Sequence, residues 1–136
     1  MSQYISGTLR QLVINRANNR CEYCKIFAIY SFLSFHIEHI ISVKHGGQTI
    51  QDNLAYSCPI CNLNKGSDIA TILNTPTKPI RFFNPRIDNW DIHFKIELSG
   101  FIVAQTEIGE ATIKILDLNH PDSIIEREIL ITNGMF

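Results

Sequence analysis

Residues 36–66 read H-I-E-H-I-I-S-V-K-H-G-G-Q-T-I-Q-D-N-L-A-Y-S-C-P-I-C-N-L-N-K-G. The stretch joins an acid–histidine pair, Glu38-His39, to a Gly46-Gly47 turn and to Cys58-x-x-Cys61 running into Asn62. Phe35 to Val43 alternates and is rich in Ile and Val, which predicts a strand. Along it His36 and Glu38 share one face, and Ile37 and His39 share the other. Gly46-Gly47 supplies a turn. Asp52 to Tyr56 reads as a short returning strand. Cys61 to Leu73 reads as a helix, with a break or cap near Gly66. The local order is strand, turn, strand, helix.

Upstream stands a second pair, Cys21 and Cys24, with 33 residues between Cys24 and Cys58. Two cysteines separated by two residues form a knuckle that aims both thiolates at one metal. Two such knuckles give a tetrahedral thiolate set, for which Zn²⁺ is the expected structural ion. Four reduced, buried cysteines are the plainer alternative. In a reducing cytosol, close cysteine pairs point to metal more than to disulfides.

A chain of 136 residues fits one domain, divided as a core over 1–75 and an extension over 76–136 packed on it. No apolar run reaches membrane-spanning length. The N-terminus lacks the basic-then-apolar layout of a signal peptide, so a cytoplasmic location is expected. The net charge of −1 conceals an asymmetry. Residues 1–90 hold nine Lys/Arg and five Asp/Glu, whereas residues 91–136 hold three and eight. The first part suits a polyanion; the acidic tail suits folding, a protein partner or a homo-oligomer.

Around the central stretch, Thr8 to Asn18 predicts a helix capped by Thr8, with Leu9, Leu12, Val13 and Ala17 inward. Arg10, Arg16 and Arg20 then face solvent or phosphate. Lys25 to Ser34 reads as loop passing into strand. After the linker-like Asn74–Pro79, Asn84-Pro85-Arg86 and Trp90 suggest a packed loop. His93–Leu98 and Phe101–Gln105 form a hairpin around Ser99-Gly100. Thr106 caps a helix with Ile108, Ala111, Thr112, Ile115 and Leu116 on one face. Pro121 opens a last helix through Leu130, with Ile124, Ile125, Ile129 and Leu130 apolar. The fold class is α+β.

His36-x-Glu38-His39-Ile40, Gly46-Gly47, Asp52-Asn53-Leu54 and Cys58-x-x-Cys61-Asn62-x-x-Lys65-Gly66 resemble the HNH endonucleases, the ββα-metal or His-Me finger nucleases. Residues 81–94, R-F-F-N-P-R-I-D-N-W-D-I-H-F, resemble an extension in a group of small bacterial HNH proteins. The resemblance implies a ββα-metal core. It makes His39 the general base, Glu38 and Asn62 ligands of a catalytic Mg²⁺ or Mn²⁺, and Asn53 the residue that supports the base's loop. It also implies DNA as substrate, duplex DNA first, and roles such as restriction, mobile elements or phage defence. Two positions depart from the family's commoner pattern. Glu38 stands for Asp, and Ser42 stands where Pro often follows the Ile pair.

The chemistry is consistent with these residue types. A neutral imidazole, with an ordinary pKa of about 6.5, can take a proton from water. Oxygen ligands from Glu38 and Asn62 favour Mg²⁺ or Mn²⁺ over a soft ion. His36, Lys44, His45, Lys65 and Arg16 are candidate substrate contacts. A zinc-stabilised module that binds nucleic acid or protein without catalysis is the alternative. A nuclease subunit targeted by a partner is a third reading.

Overall fold

Ser6 starts the first helix. In the computed structural model, which describes residues 4–136, α1 spans Gly7–Arg16, and the Ser6 hydroxyl accepts from the Leu9 N–H. The cap therefore sits two residues before the predicted Thr8. Val13 and Ala17 of this segment pack with Leu54 and Tyr56 into one buried cluster, flanked by Leu9, Ile14, Phe35 and Ile37. Leu12, placed inward by periodicity, is exposed.

That cluster lies on a hairpin. Strand β1 (His36–His39) pairs antiparallel with β2 (Leu54–Ser57), in the register His36↔Ser57 to His39↔Leu54. Helix α2 (Pro59–Lys65) follows, with Pro59 in its first turn and Cys58 as its cap. Proline suits that position because its missing N–H has no intrahelical partner there.

Three sequence expectations need correction in this region. The first strand ends at His39 rather than Val43, and a 3₁₀ turn occupies Val43–His45. The apolar stretch after Lys25 does not pass into a strand there. It makes a 3₁₀ turn at Ala28–Tyr30 and leaves Ile29, Phe32 and Leu33 exposed. The helix predicted to reach Leu73 ends at Lys65, capped by Gly66. Beyond it the β-branched Thr71 and Ile72 fall in a strand, as their restricted side chains favour.

Contacts divide the chain into two compact units, one ending at Ile69 and the other spanning Ala70–Phe136. The second opens on a hairpin of β3 (Ala70–Ile72) and β4 (Pro79–Arg81). Asp88 accepts from both terminal nitrogens of Arg81, at 2.7 and 2.8 Å, and from the Asn84 N–H at 2.8 Å. This closes the Asn84–Asp88 loop. Trp90, predicted in a loop, begins the short helix α3 (Trp90–His93). Strands β5 (Phe94–Ile96) and β6 (Ile102–Ala104) form the predicted hairpin.

Thr106 caps α4 (Glu107–Leu116) as predicted, its hydroxyl accepting from the Gly109 N–H. Pro121 opens α5 (Pro121–Thr132). The face that α5 buries differs from the apolar one read from sequence. Ile125 and Ile129 are exposed, while Ser123, Arg127 and Leu130 are buried. The Arg127 guanidinium donates to the Gly100 carbonyl at 2.6 Å and the Leu118 carbonyl at 2.8 Å. A buried cation satisfied by backbone carbonyls thus ties the hairpin turn to the end of α4. Small antiparallel sheets between helices make the class α+β. Among the described residues no helix is long and apolar enough to cross a membrane.

Candidate active site and metal centre

The turn after α1 carries Cys21 and Cys24, and the start of α2 carries Cys58 and Cys61. All four sulfurs are buried and lie within 4.8 Å of one another. The Cys24 and Cys58 Sγ atoms are 3.6 Å apart. Four sulfurs at about 2.3 Å from a tetrahedral Zn²⁺ stand roughly 3.8 Å from each other, so the set fits the ion with small adjustments. In each knuckle the second cysteine's N–H points at the first sulfur, Cys24 to Cys21 at 3.5 Å and Cys61 to Cys58 at 3.4 Å. Burial pushes the Cys21 thiol up, but its hydrogen bonds with Cys24, Cys58 and Cys61 bring it well below the usual range. Sharing with Cys21 in turn drives Cys24 and Cys61 well above it. Four thiolates this close need a cation to ionise together, and a dication meets that need.

The first knuckle is stitched to the hairpin. The Glu22 N–H donates to the Tyr56 carbonyl, and the Glu22 carboxylate accepts from the Tyr56 N–H, both at 2.9 Å. Arg20, read as open to phosphate, instead braces this turn. Its Nε donates to the Lys25 carbonyl at 3.1 Å, and its guanidinium lies 4.2 Å from the Phe27 ring centre.

At the other end of the hairpin the Asn53 side chain replaces a strand. Its Oδ1 accepts from the Ile41 N–H, and its Nδ2 donates to the Ile41 and Gln48 carbonyls, each at 2.9 Å. This accounts for the early end of β1, because the backbone groups of Ile41 are satisfied by a side chain. Gly46 has φ of +90°. At Gly47 a Cβ would collide with the Ile41 carbonyl and stand 2.8 Å from Asn53 Nδ2. One glycine supplies a left-handed backbone; the other permits close approach. The loop so folded brings the Thr49 hydroxyl to 2.8 Å from His39 Nε2.

A histidine at the end of a hairpin, an asparagine bracing the loop behind it and a helix entered through Cys-x-x-Cys-Asn make one constellation. Residues 21–68 match the family model of the HNH endonucleases. The match covers 48 of the 136 residues. No curated protein and no solved structure matches the chain.

Within the matched residues, His39 is partly buried. Burial, and then the Lys65 ammonium, hold its imidazole below the usual value. The ring is therefore neutral and able to accept a proton near neutral pH. Glu38 is buried, and burial pushes its carboxyl up to about 7 against the opposing pull of Lys65 and the Tyr23 hydroxyl.

Lys65, a candidate phosphate contact from sequence, is only 2% exposed. Its Nζ donates to the Ile40 carbonyl at 2.8 Å and the His39 carbonyl at 3.3 Å, and stands 3.9 Å from Glu38 Oε1. It fastens α2 to the end of β1 and lies beneath the surface. Asn62 sits one helical turn before it, partly buried on the same face of α2. Glu38 Oε1 is buried with no hydrogen-bond partner. That oxygen, already 3.9 Å from the Lys65 ammonium, and an amide carbonyl are hard donors of the kind that suit Mg²⁺ or Mn²⁺.

Arg16 Nη2 donates to the Leu54 carbonyl at 2.8 Å, and Leu54 is the cross-strand partner of His39. The helix end thus places Arg16, an exposed residue, at the histidine's end of the hairpin. Lys44 and His45 are exposed on the 3₁₀ turn. His36 is exposed at the opposite end of β1, across from Ser57. Thr49 and Tyr23 drew no notice in the sequence. Tyr23, between two cysteines in a metal knuckle, is confined by them to the interior; nothing in the local sequence marks Thr49.

Proposed function

We propose that the protein is a metal-dependent endonuclease that hydrolyses phosphodiester bonds of DNA, duplex DNA foremost. The observation that carries this reading is the His39 site: a neutral imidazole at the hairpin's end, above a loop braced by Asn53. His39 accepts a proton from the attacking water. Asn53 holds the base's loop and takes no part in the reaction. Glu38 and Asn62 hold a divalent ion, Mg²⁺ or Mn²⁺. When bound, that ion stabilises charge on the scissile phosphate and the leaving oxygen. The products are a 5′-phosphate and a 3′-hydroxyl. The tetrathiolate zinc is structural and separate from catalysis. Thiolate ligands suit a reducing cytoplasm.

Plasmid nicking with Mg²⁺ or Mn²⁺ added or omitted tests the activity directly. Ion-independent cutting, or none under any condition, leaves the non-catalytic zinc module as the reading.

Glu38→Ala and Asn62→Ala raise the Mg²⁺ concentration needed for half-maximal cleavage and leave the fold intact. With a Glu38 carboxyl at about 7, protons and the ion compete. The apparent ion affinity therefore rises with pH up to that point and levels off above it. Titrations of rate against Mg²⁺ at several pH values check both statements; curves that superimpose on wild type remove these residues from the metal site.

DNA engages the part of the chain before residue 91, and the acidic segment 91–136 serves folding or assembly. Arg16, Lys44 and His45 supply exposed contacts, with His36 at the far end. Arg16→Glu weakens binding and lowers the salt slope by about one, as one phosphate contact is lost. Neutralising Glu126 and Glu128 changes affinity much less. Crosslinks falling mainly after Trp90 overturn this division.

A further inference from the structure

We infer that Thr49 is the positioning residue of the base: it fixes the neutral His39 ring as the Nε2–H tautomer and leaves Nδ1 as the proton-accepting atom. The inference rests on the nuclease reading and deepens it. The Thr49 hydroxyl and His39 Nε2 are 2.8 Å apart, an ordinary distance for a hydrogen bond involving a hydroxyl.

The segment around Thr49 is pinned on both sides by Asn53. The Asn53 side chain donates to the Gln48 carbonyl, and the Asn53 N–H donates to the Ile50 carbonyl, both at 2.9 Å. The Gly47 N–H is tied to the Ser42 carbonyl at 2.9 Å. Thr49 thus stands between two residues held by the same asparagine, and its β-branch restricts χ1. Asn53 reaches the base through Thr49.

A hydroxyl can donate or accept, so the function of the ring decides the direction. If Thr49 donated, the Nε2 lone pair would be occupied and Nδ1 would carry the proton. The ring would then offer no basic nitrogen to water. With Nε2–H donating to Thr49 Oγ1, the Nδ1 lone pair is available. In the reaction Nδ1 takes a proton from water, the water oxygen bonds to phosphorus, and the bond from phosphorus to the 3′ oxygen breaks. The ring becomes a cation while Nε2–H remains on Thr49, and the departing oxygen carries the negative charge until it is protonated by solvent.

The experiment compares the zinc-loaded wild-type protein with Thr49→Val and Thr49→Ser. Valine keeps the branched shape and removes the hydroxyl; serine keeps the hydroxyl. Thr49→Val loses about tenfold in kcat, the worth of one hydrogen bond, with KM and melting temperature unchanged. Thr49→Ser recovers most of that loss. Nitrogen NMR of the imidazole, at a pH where the ring is neutral, shows Nε2–H in wild type and a tautomer mixture in Thr49→Val. Wild-type kcat in Thr49→Val, equal impairment of both variants, or a wild-type ring protonated on Nδ1 overturns the proposal. Absence of His39-dependent cleavage in wild type would instead sink the nuclease reading, and the ring spectra would still decide whether Thr49 sets the tautomer.

Discussion

Replacing His39 by alanine removes cleavage, by about 10²–10⁴-fold or more, while DNA binding persists. The size follows from the role, because a base acts mainly in the transition state and leaves ground-state affinity to other groups. The pH profile carries a second signature. Burial and Lys65 hold the His39 imidazole below its usual value. The unprotonated fraction rises as pH passes that lowered value, so the histidine-dependent limb of the rate is complete at a lower pH than an ordinary histidine would give. Single-turnover cleavage and filter binding, measured on the same variant across pH, check both parts. A variant that cuts at the wild-type rate removes the enzyme reading from this site.

Cys21→Ser or Cys58→Ser releases zinc and unfolds the unit that ends at Ile69. The free energy of a structural zinc site of this kind is about 10–16 kcal/mol, comparable with or larger than the total stability of a typical domain at about 5–15 kcal/mol. The regular secondary structure of this unit is short. Its strands are four residues each, and its buried cluster centres on Val13, Ala17, Leu54 and Tyr56. The second unit holds no cysteine and keeps its structure in the same variants. Metal analysis together with limited proteolysis tests this. Wild-type melting and protection of residues before Ile69 in a zinc-free variant would overturn the assignment.

The four-cysteine cluster was legible because cysteine spacing encodes it almost alone. The caps at Thr106 and Pro121 and the hairpin around Ser99-Gly100 were legible for a related reason, since each depends on a few neighbouring residues. What the sequence hid depends on distant partners. β1 stops early because Asn53, twelve residues beyond Ile41, supplies the missing backbone bonds. Lys65 looks like a surface cation at the end of a polar helix, yet the carbonyls of His39 and Ile40 draw it inward. Arg127 inverts the apolar pattern of α5, because its guanidinium finds carbonyls at Gly100 and Leu118. Hydrophobic periodicity assigns a charged residue to solvent and has no way to see the acceptors. Motif spacing singled out the acid–histidine pair and both asparagines as candidates; the contact from Thr49 to His39 requires the folded loop.

The stitch between Glu22 and Tyr56 has a consequence for the order of folding. The two cysteine pairs are separated by 33 residues, and closing a segment of that length costs entropy before any ligand pair can meet. The β1–β2 hairpin, turned at the Gly46-Gly47 loop, divides that closure into shorter ones. Only with β2 in register does Tyr56 present its amide and carbonyl to Glu22, which carries Cys21 and Cys24 toward Cys58 and Cys61. An ion captured by the four sulfurs would thereby report hairpin closure. Straining the loop at Gly47 slows uptake of the ion, whereas release from the finished tetrathiolate keeps its own pace.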